Sequence, residues 1–241
     1  MDWDHFFTVH KNLPREGPGL PEDVAWAAGL ADLPEGAMIC DAAAGPGADV
    51  SALTRAVSGA KVLAFDAKDS FVDQMLARFG NDSDVAVIQA DMAGIAELPQ
   101  APFDMIWCAG ALYFLGLQDG LRVMFDALKP GGVLAFSEPC FFTEVPTDAA
   151  RAFWEGYPTQ DRAGIADAVA QAGFDTLGTR VVSDAGWEAY YQPMEARIAS
   201  LRSGADAGLT AMLDYCAKEA SDWRAVKQET GYLLTVARRP A

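Results

Sequence analysis

One short segment constrains the fold more than any other. The apolar run Met38-Ile39-Cys40 meets an acid, Asp41, and passes through Ala42-Ala43-Ala44-Gly45-Pro46-Gly47-Ala48-Asp49 into Val50. The run reads as a buried strand. The small residues after it read as a tight loop, and Val50, Leu53 and Val57 mark the apolar side of a following helix. A strand, small-residue loop and helix in that order belong at the carboxyl edge of a parallel sheet, where backbone lacking a Cβ comes close to a ligand.

The rest of the chain repeats the alternation. Strands are expected at 37–42, 61–66, 84–90, 103–108, 132–138, 174–182 and 231–238. Between them, Val72, Met75, Leu76 and Phe79, and then Leu121, Met124, Phe125 and Leu128, recur at helical spacing. Ile165, Val169 and Ala172 lead to Gly173 as a helix end. The expected architecture is therefore α/β: a doubly wound, mostly parallel seven-stranded sheet with helices on both faces. Two regions break the pattern. Residues 1–36 precede the first strand and are expected to cover the site. Residues 183–230 carry two apolar stripes, with Pro193 suggesting a break or a helix start in the first, and are expected to form a helical lid before the last strand. The core is then 37–182 with 231–241.

Bulk properties narrow the function. Of 241 residues, 51% are hydrophobic, which argues against disorder. The net charge of -16 disfavours nucleic acid and anionic membranes as partners. The amino terminus lacks the positive region and apolar core of a secretory signal, and no apolar run is long enough to span a membrane. The four cysteines, Cys40, Cys108, Cys140 and Cys216, form no metal-binding or redox pair, so no metal is expected, and a reducing cytoplasm suits them.

Ligands of open α/β sheets lie beyond the carboxyl ends of the strands. There the sequence sets Asp41 with its loop, Asp66, Asp91-Met92, and Cys108 running into Ala109-Gly110-Ala111-Leu112-Tyr113. A carboxylate at Asp66 can accept both hydroxyls of a ribose; the plainer reading is a helix-capping or surface acid. A dinucleotide site requires Gly-x-Gly-x-x-Gly, but Val50 stands at the third glycine and Asp41 would crowd a diphosphate. A cationic nucleoside without phosphate meets no such objection. A nicotinamide-dependent oxidoreductase is the competing class.

The acid–small–Gly–x–Gly loop, Asp66, Asp91-Met92 and Leu128-Lys129-Pro130-Gly131-Gly132 fall in the order seen in class I S-adenosylmethionine-dependent methyltransferases, which this chain resembles over residues 36–182 and 231–238. One departure stands out: the family's first loop glycine is Ala43, and alanine fits there if its φ is negative. A narrower resemblance, to a bacterial type 11-like group, rests on Leu13-Pro14-Arg15-x-Gly17-Pro18-Gly19, Ile106-Trp107-x-x-Gly110-Ala111-Leu112-Tyr113, Phe136-Ser137-Glu138 and Trp187-x-x-Tyr190-Tyr191.

The resemblance implies S-adenosylmethionine as cofactor and S-adenosylhomocysteine as product. It puts Asp41 near the cofactor's amino group and the backbone of Ala43, Gly45 and Gly47 along its methionine and ribose. It sets Asp66, with Ala67 beside it, at the ribose hydroxyls, Asp91 and the Met92 amide at the adenine, and Cys108 and Ala109 near the sulfonium. Arg15 is a candidate partner for the cofactor carboxylate.

The expected reaction is methyl transfer to an oxygen or nitrogen of a small molecule, by a monomer or homodimer. In this reaction the protein mainly aligns and desolvates the reactants. No single catalytic residue emerges. Tyr113, Glu138 and His10 are the candidates for proton handling, with His5 a weaker one; Tyr113, Glu138, Trp154, Tyr190 and Tyr191 are candidates for lining the acceptor pocket. A protein that binds the cofactor without catalysis is a third reading.

Overall fold

A computed structural model describes residues 2–241. Five parallel strands, β1 (Met38–Ala42), β2 (Lys61–Asp66), β3 (Val85–Gln89), β4 (Phe103–Cys108) and β5 (Leu128–Phe141), are followed by β6 (Gln160–Asp161), β7 (Asp175–Val181) and β8 (Thr230–Arg238). The order across the sheet is β3-β2-β1-β4-β5-β8-β7, with the two-residue β6 paired to β5. Only β8 runs antiparallel, between β5 and β7. The order of strand addition reverses between the parallel β1 and β4, the switch point where such sheets open a crevice.

The strands divide the core by their period of two. Ile39, Val62, Ala64, Met105 and Trp107 face one helical layer. Cys40, Leu63, Phe65, Ile106 and Cys108 face the other. The first layer holds α2 (Pro21–Ala31), α3 (Val50–Leu53) and α4 (Asp69–Phe79); the second holds α5 (Leu117–Ala127) and α7 (Arg162–Gln171). Burial on both faces explains why these strands read as apolar runs.

Residues outside the alternation form a separate cap. They comprise α1 (Trp3–His10), the short α6 (Asp148–Phe153), α8 (Asp184–Leu201) and α9 (Ala207–Val226). α1 packs on α8 and α9, and α6 packs on α9. Trp187 of α8 stacks on Trp223 of α9 at 5.0 Å and on Tyr232 of β8 at 5.1 Å, which ties the helical pair to the sheet.

The structure corrects several expectations. The helix after the first loop is a single turn, Val50–Leu53, because the chain turns through Gly59 at φ +71° to enter β2; Val57 lies beyond the helix. Strand β5 begins at Leu128, so Leu128-Lys129-Pro130-Gly131-Gly132 is already strand; a Cβ at Gly132 would sit 3.0 Å from the Phe103 carbonyl of the adjacent β4. Leu76 is 46% exposed, although its neighbours on the predicted stripe, Val72, Met75 and Phe79, are buried. Pro193 does not break its helix: α8 runs through it, held by Tyr190 and Tyr191 buried before it and Met194 and Ile198 after it. β6 adds an eighth, minimal strand.

Candidate functional site

The loop after β1 is shaped by its own backbone and by β2. Ala44 N–H donates to the Phe65 carbonyl at 2.9 Å, and Gly45 N–H donates to Asp66 Oδ2 at 2.9 Å. Asp66 Oδ1 accepts from Lys68 N–H at 2.9 Å. Burial raises the Asp66 pKa; the amides of Lys68, Gly45 and Ala67 hold it back. Ala67 is exposed beside it. Asp66 does not cap α4, whose N-cap Lys68 makes no side-chain capping bond; its contacts with the Gly45 and Lys68 amides fix its carboxyl at the end of β2.

Ala43 departs from expectation. Its φ is +54°, the left-handed conformation that glycine tolerates, so the condition of negative φ is not met. Gly45 and Gly47 also have positive φ, +55° and +78°. A Cβ on Gly47 would lie 2.9 Å from Met75 Cγ of α4, so this glycine serves the approach of a helix. A Cβ on Gly45 would lie 3.3 Å from Glu16 Cγ, which puts the amino-terminal segment directly over the loop.

Three carboxylates surround the turn. Asp41 is buried, and its Oδ2 has no hydrogen-bond partner. Burial drives its pKa well up, the charges of Asp49 and Asp66 add to the rise, and Arg15 opposes it. Asp49 accepts from Trp107 Nε1 at 3.0 Å and faces Arg15 at 3.5 Å. Arg15 spends its other donors on the carbonyls of Gly17 and Gly19. The guanidinium therefore clamps the segment 15–19 to the loop; its structure-borne partners are Asp49 and two carbonyls.

Further along the edge, Asp91 is exposed and caps a six-residue 3-10 helix over Met92–Glu97 through Ala93 N–H at 2.8 Å. Met92 is buried with its sulfur 3.6 Å from Cys108 Sγ, and Ala109 is half-buried. Gly110 N–H donates to Ser137 Oγ at 2.7 Å, joining the ends of β4 and β5.

A second cluster lies under the cap. Glu138 on β5 is 1% exposed; its Oε1 accepts from the Tyr157 hydroxyl and its Oε2 has no partner. Burial raises its pKa to about 7, opposed by the Tyr157 hydrogen bond. Tyr113 lies 5.9 Å from Tyr157 and 6.5 Å from Tyr232, ring to ring, and burial pushes its hydroxyl up to about 12. His10 is 2% exposed, stacks on Phe6 at 3.9 Å, and meets Glu16 through Nδ1 at 2.6 Å. His10 Nε2 and Glu16 Oε1 have no partner. Tyr157 also lines an open cleft of about 500 Å³ with Leu117, Gln118, Pro158 and Gln160.

Other predicted residues are placed differently. Tyr191 is fully buried within the cap, its hydroxyl donating to Glu219 at 3.1 Å, so it packs against both Trp187 and Trp223 instead of walling an open pocket. Tyr190 is buried beside His10 at 6.3 Å. Trp154 is pinned by Nε1 to Thr230 at 2.7 Å and stacks near Tyr232. His5 caps outward on Asp2 at 2.9 Å, away from Glu138 and Tyr113. Glu16, Tyr157, Glu219 and Tyr232 were not singled out from the sequence. Glu16 was the variable position of the Leu13–Gly19 motif, and Gly156-Tyr157-Pro158 signals only a turn.

The cofactor implied by the family fits this ground. An orphaned buried carboxylate oxygen suits a cationic amino group, and three carboxylates around one loop repel a diphosphate. Residues 39–132 match the family model of a methyltransferase domain. No curated protein sequence matches the chain. Two solved structures bound to S-adenosyl-L-homocysteine share the fold of this chain. One is the S-adenosylmethionine-dependent methyltransferase from Thiobacillus denitrificans, 16% identical over 96% of each chain with a TM-score of 0.81. The other is that from Geobacter sulfurreducens, 17% identical over 97% of each chain with a TM-score of 0.82. The [4+2]-cyclase SpnF is also similar, 18% identical over 100% of this chain and 94% of its own, with a TM-score of 0.76. A shared fold therefore does not fix the reaction. Among the described residues no helix is long and apolar enough to cross a membrane, and no cluster of three or more His, Cys, Asp or Glu is arranged to hold a metal ion.

Proposed function

We propose that this methyltransferase domain binds S-adenosylmethionine at the loop after β1 and methylates an oxygen or nitrogen of a small molecule. The observation that carries the reading is Asp41 Oδ2, buried and unpartnered beside a loop ringed by acids and matched by the methyltransferase family model. When bound, the cofactor supplies a methyl carbon on a sulfonium, whose C–S electrons return to sulfur as an acceptor lone pair takes the carbon.

The chain's residues do the rest. Asp41 holds the amino group, and the backbone of Ala43, Gly45 and Gly47 follows the methionine and ribose. Asp66, fixed by two amides, receives the ribose hydroxyls with Ala67 alongside; Asp91 and the Met92 amide meet the adenine, and Cys108 and Ala109 lie by the sulfonium. Arg15 acts chiefly by closing the segment 15–19 over the loop. Residues 1–36 and 183–230 work as a cover that excludes water, which strengthens every polar contact inside. Glu138 is the proton acceptor in this reading, because a base with a pKa near working pH is the most effective one. The buried, free cysteines suit a cytoplasmic protein, and the negative net charge favours small acceptors over nucleic acid.

The test is calorimetry with S-adenosylmethionine, S-adenosylhomocysteine and NADH in turn. Heat of binding with the first two and none with NADH is expected. Binding of NADH with no heat from either adenosyl compound overturns the reading in favour of an oxidoreductase.

A further inference from the structure

The chamber under the cap is short of hydrogen-bond donors. Glu138 Oε2, Glu16 Oε1 and His10 Nε2 are buried without partners. The other atom of each group is already engaged: Glu138 Oε1 with Tyr157, and Glu16 Oε2 with His10 Nδ1. With Nδ1–H given to Glu16, a neutral His10 presents Nε2 as an acceptor. A buried acceptor left unpaired costs about 1–3 kcal/mol.

Aromatic rings lie beside these groups. Tyr113 lies 5.9 Å from Tyr157, the partner of Glu138, and 6.5 Å from Tyr232, while Tyr190 lies 6.3 Å from His10, the partner of Glu16. Glu219 acts on Tyr113, Tyr190 and Tyr232. Among the described residues no Lys or Arg pairs with Glu138, Glu16 or Glu219; the imidazole of His10 is the basic group beside Glu16. Arg15 is committed to Asp49 and two carbonyls, and Arg224 to Glu188 and Glu195.

The chemistry of these groups separates the possible acceptors. A carboxylate brings no donor and adds a like charge. An alcohol brings one donor and no charge. An ammonium brings up to three donors and a positive charge, and aromatic faces favour a cation as well. We infer that the methyl acceptor is an amine, whose ammonium form docks on Glu138 Oε2 beside the tyrosine rings and gives Glu138 one proton before transfer. The proton passes from nitrogen to Glu138, which becomes a neutral acid, and the nitrogen keeps the lone pair that forms the new N–C bond.

This inference rests on the methyltransferase reading, so the experiment runs in two steps. Calorimetry with S-adenosylhomocysteine comes first; no binding there overturns the methyltransferase reading and this inference with it. The protein loaded with S-adenosylhomocysteine is then titrated with butylamine, 1-butanol and butyrate, three probes of similar size that differ in charge. Butylamine is expected to bind about tenfold or more tighter than 1-butanol, with butyrate weakest. Glu138→Gln should erase most of that preference and leave affinity for S-adenosylhomocysteine as it was. An alcohol or carboxylate that binds as tightly as the amine, or no binding by any of the three, overturns the inference while the methyltransferase reading stands. The wild-type comparison needs no variant, so the test does not depend on whether Glu138→Gln folds.

Discussion

The loop after β1 and the chamber under the cap are both lined with acids, yet they treat them differently. At the loop, Asp66 and Asp49 are satisfied by neighbouring amides, an indole and a guanidinium, and only Asp41 keeps a free oxygen. In the chamber, Glu138 and Glu16 each hold one oxygen back, and the groups around them are tyrosines and histidine. The first arrangement makes a rigid frame whose carboxyl positions are set before anything binds. The second stores unmet hydrogen-bonding capacity that a ligand must supply. In the proposed function, framing and recognition fall to different parts of the chain: a strand–loop–strand unit on one side, and the convergence of α1, β5, β8 and α8 on the other.

The frame can be broken most directly at Gly47. Its φ is +78°, and an added Cβ would meet Met75 Cγ at 2.9 Å and Phe79 Cε2 at 3.0 Å. Left-handed strain and overpacking add up to about 3 kcal/mol. Gly47→Ala should therefore lower the urea midpoint of unfolding sharply and disturb the loop as well. A stability within about 0.5 kcal/mol of wild type, inside the usual range of surface changes, would mean that α4 does not press on the loop.

The chamber is sharpened by Glu138. Burial pushes its carboxyl up to about 7 in the folded chain from the ordinary 4.5 of a glutamate. The folded state holds the proton more tightly, so stability is greatest at low pH and falls as pH rises from about 4.5 to above 7. The fall is about 3 kcal/mol for a group this buried. The groups that face it, Tyr113, Tyr157, Cys108 and Cys140, are all neutral in this range because burial raises each of them. Glu138→Gln should lack this fall. Chemical unfolding followed by circular dichroism at pH 4.5 and pH 8 measures it; parallel curves for the two proteins would show that Glu138 is not desolvated.

The same contrast explains what the sequence made legible. The frame is written in contiguous residues: an apolar strand, a run of small residues, and acids at strand ends, each with a local physical reason. The strands and their order of appearance followed from that alternation, and so did the positions of Asp41, Asp66 and Asp91. The chamber depends on residues far apart in the chain, such as Glu16 with His10, Tyr157 with Glu138 and Tyr191 with Glu219. No spacing rule links them, because their meeting is decided by how the cap folds back on the sheet. That is why Tyr157 was not singled out and Tyr191 was a candidate for the pocket wall. Pro193 was misjudged for a related reason: propensity marked a break, and burial of the stripe on both sides of it overrode the propensity.

At Asp66 the two roles meet, and a smaller effect is expected. Asp66→Ala removes the acceptor for Gly45 N–H and Lys68 N–H and, in the proposed function, for the ribose hydroxyls. The loss of affinity for S-adenosylhomocysteine should be at least about tenfold. Asp66→Asn keeps one carbonyl oxygen for the loop and should fall between the two. Calorimetry that finds both variants at wild-type affinity would confine Asp66 to the frame.

The smallest expected effect is at Ala43, and its sign is what matters. A non-glycine residue at φ +54° carries left-handed strain of about 1–2 kcal/mol. Glycine relieves that strain but gives back about 0.4–1 kcal/mol by freeing the unfolded chain. Ala43→Gly should therefore stabilise the protein by up to about 1 kcal/mol, the difference between those two terms. The gain is local to the turn between Asp41 and Gly45, so unfolding of the whole chain should shift without any change in its denaturant slope. A destabilised variant would mean that Ala43 holds a different conformation in solution, and that the loop is drawn from the left-handed region by contacts around its methyl group. A neutral result would place strain and chain entropy in balance, leaving the alanine as tolerated as the glycine it stands in for.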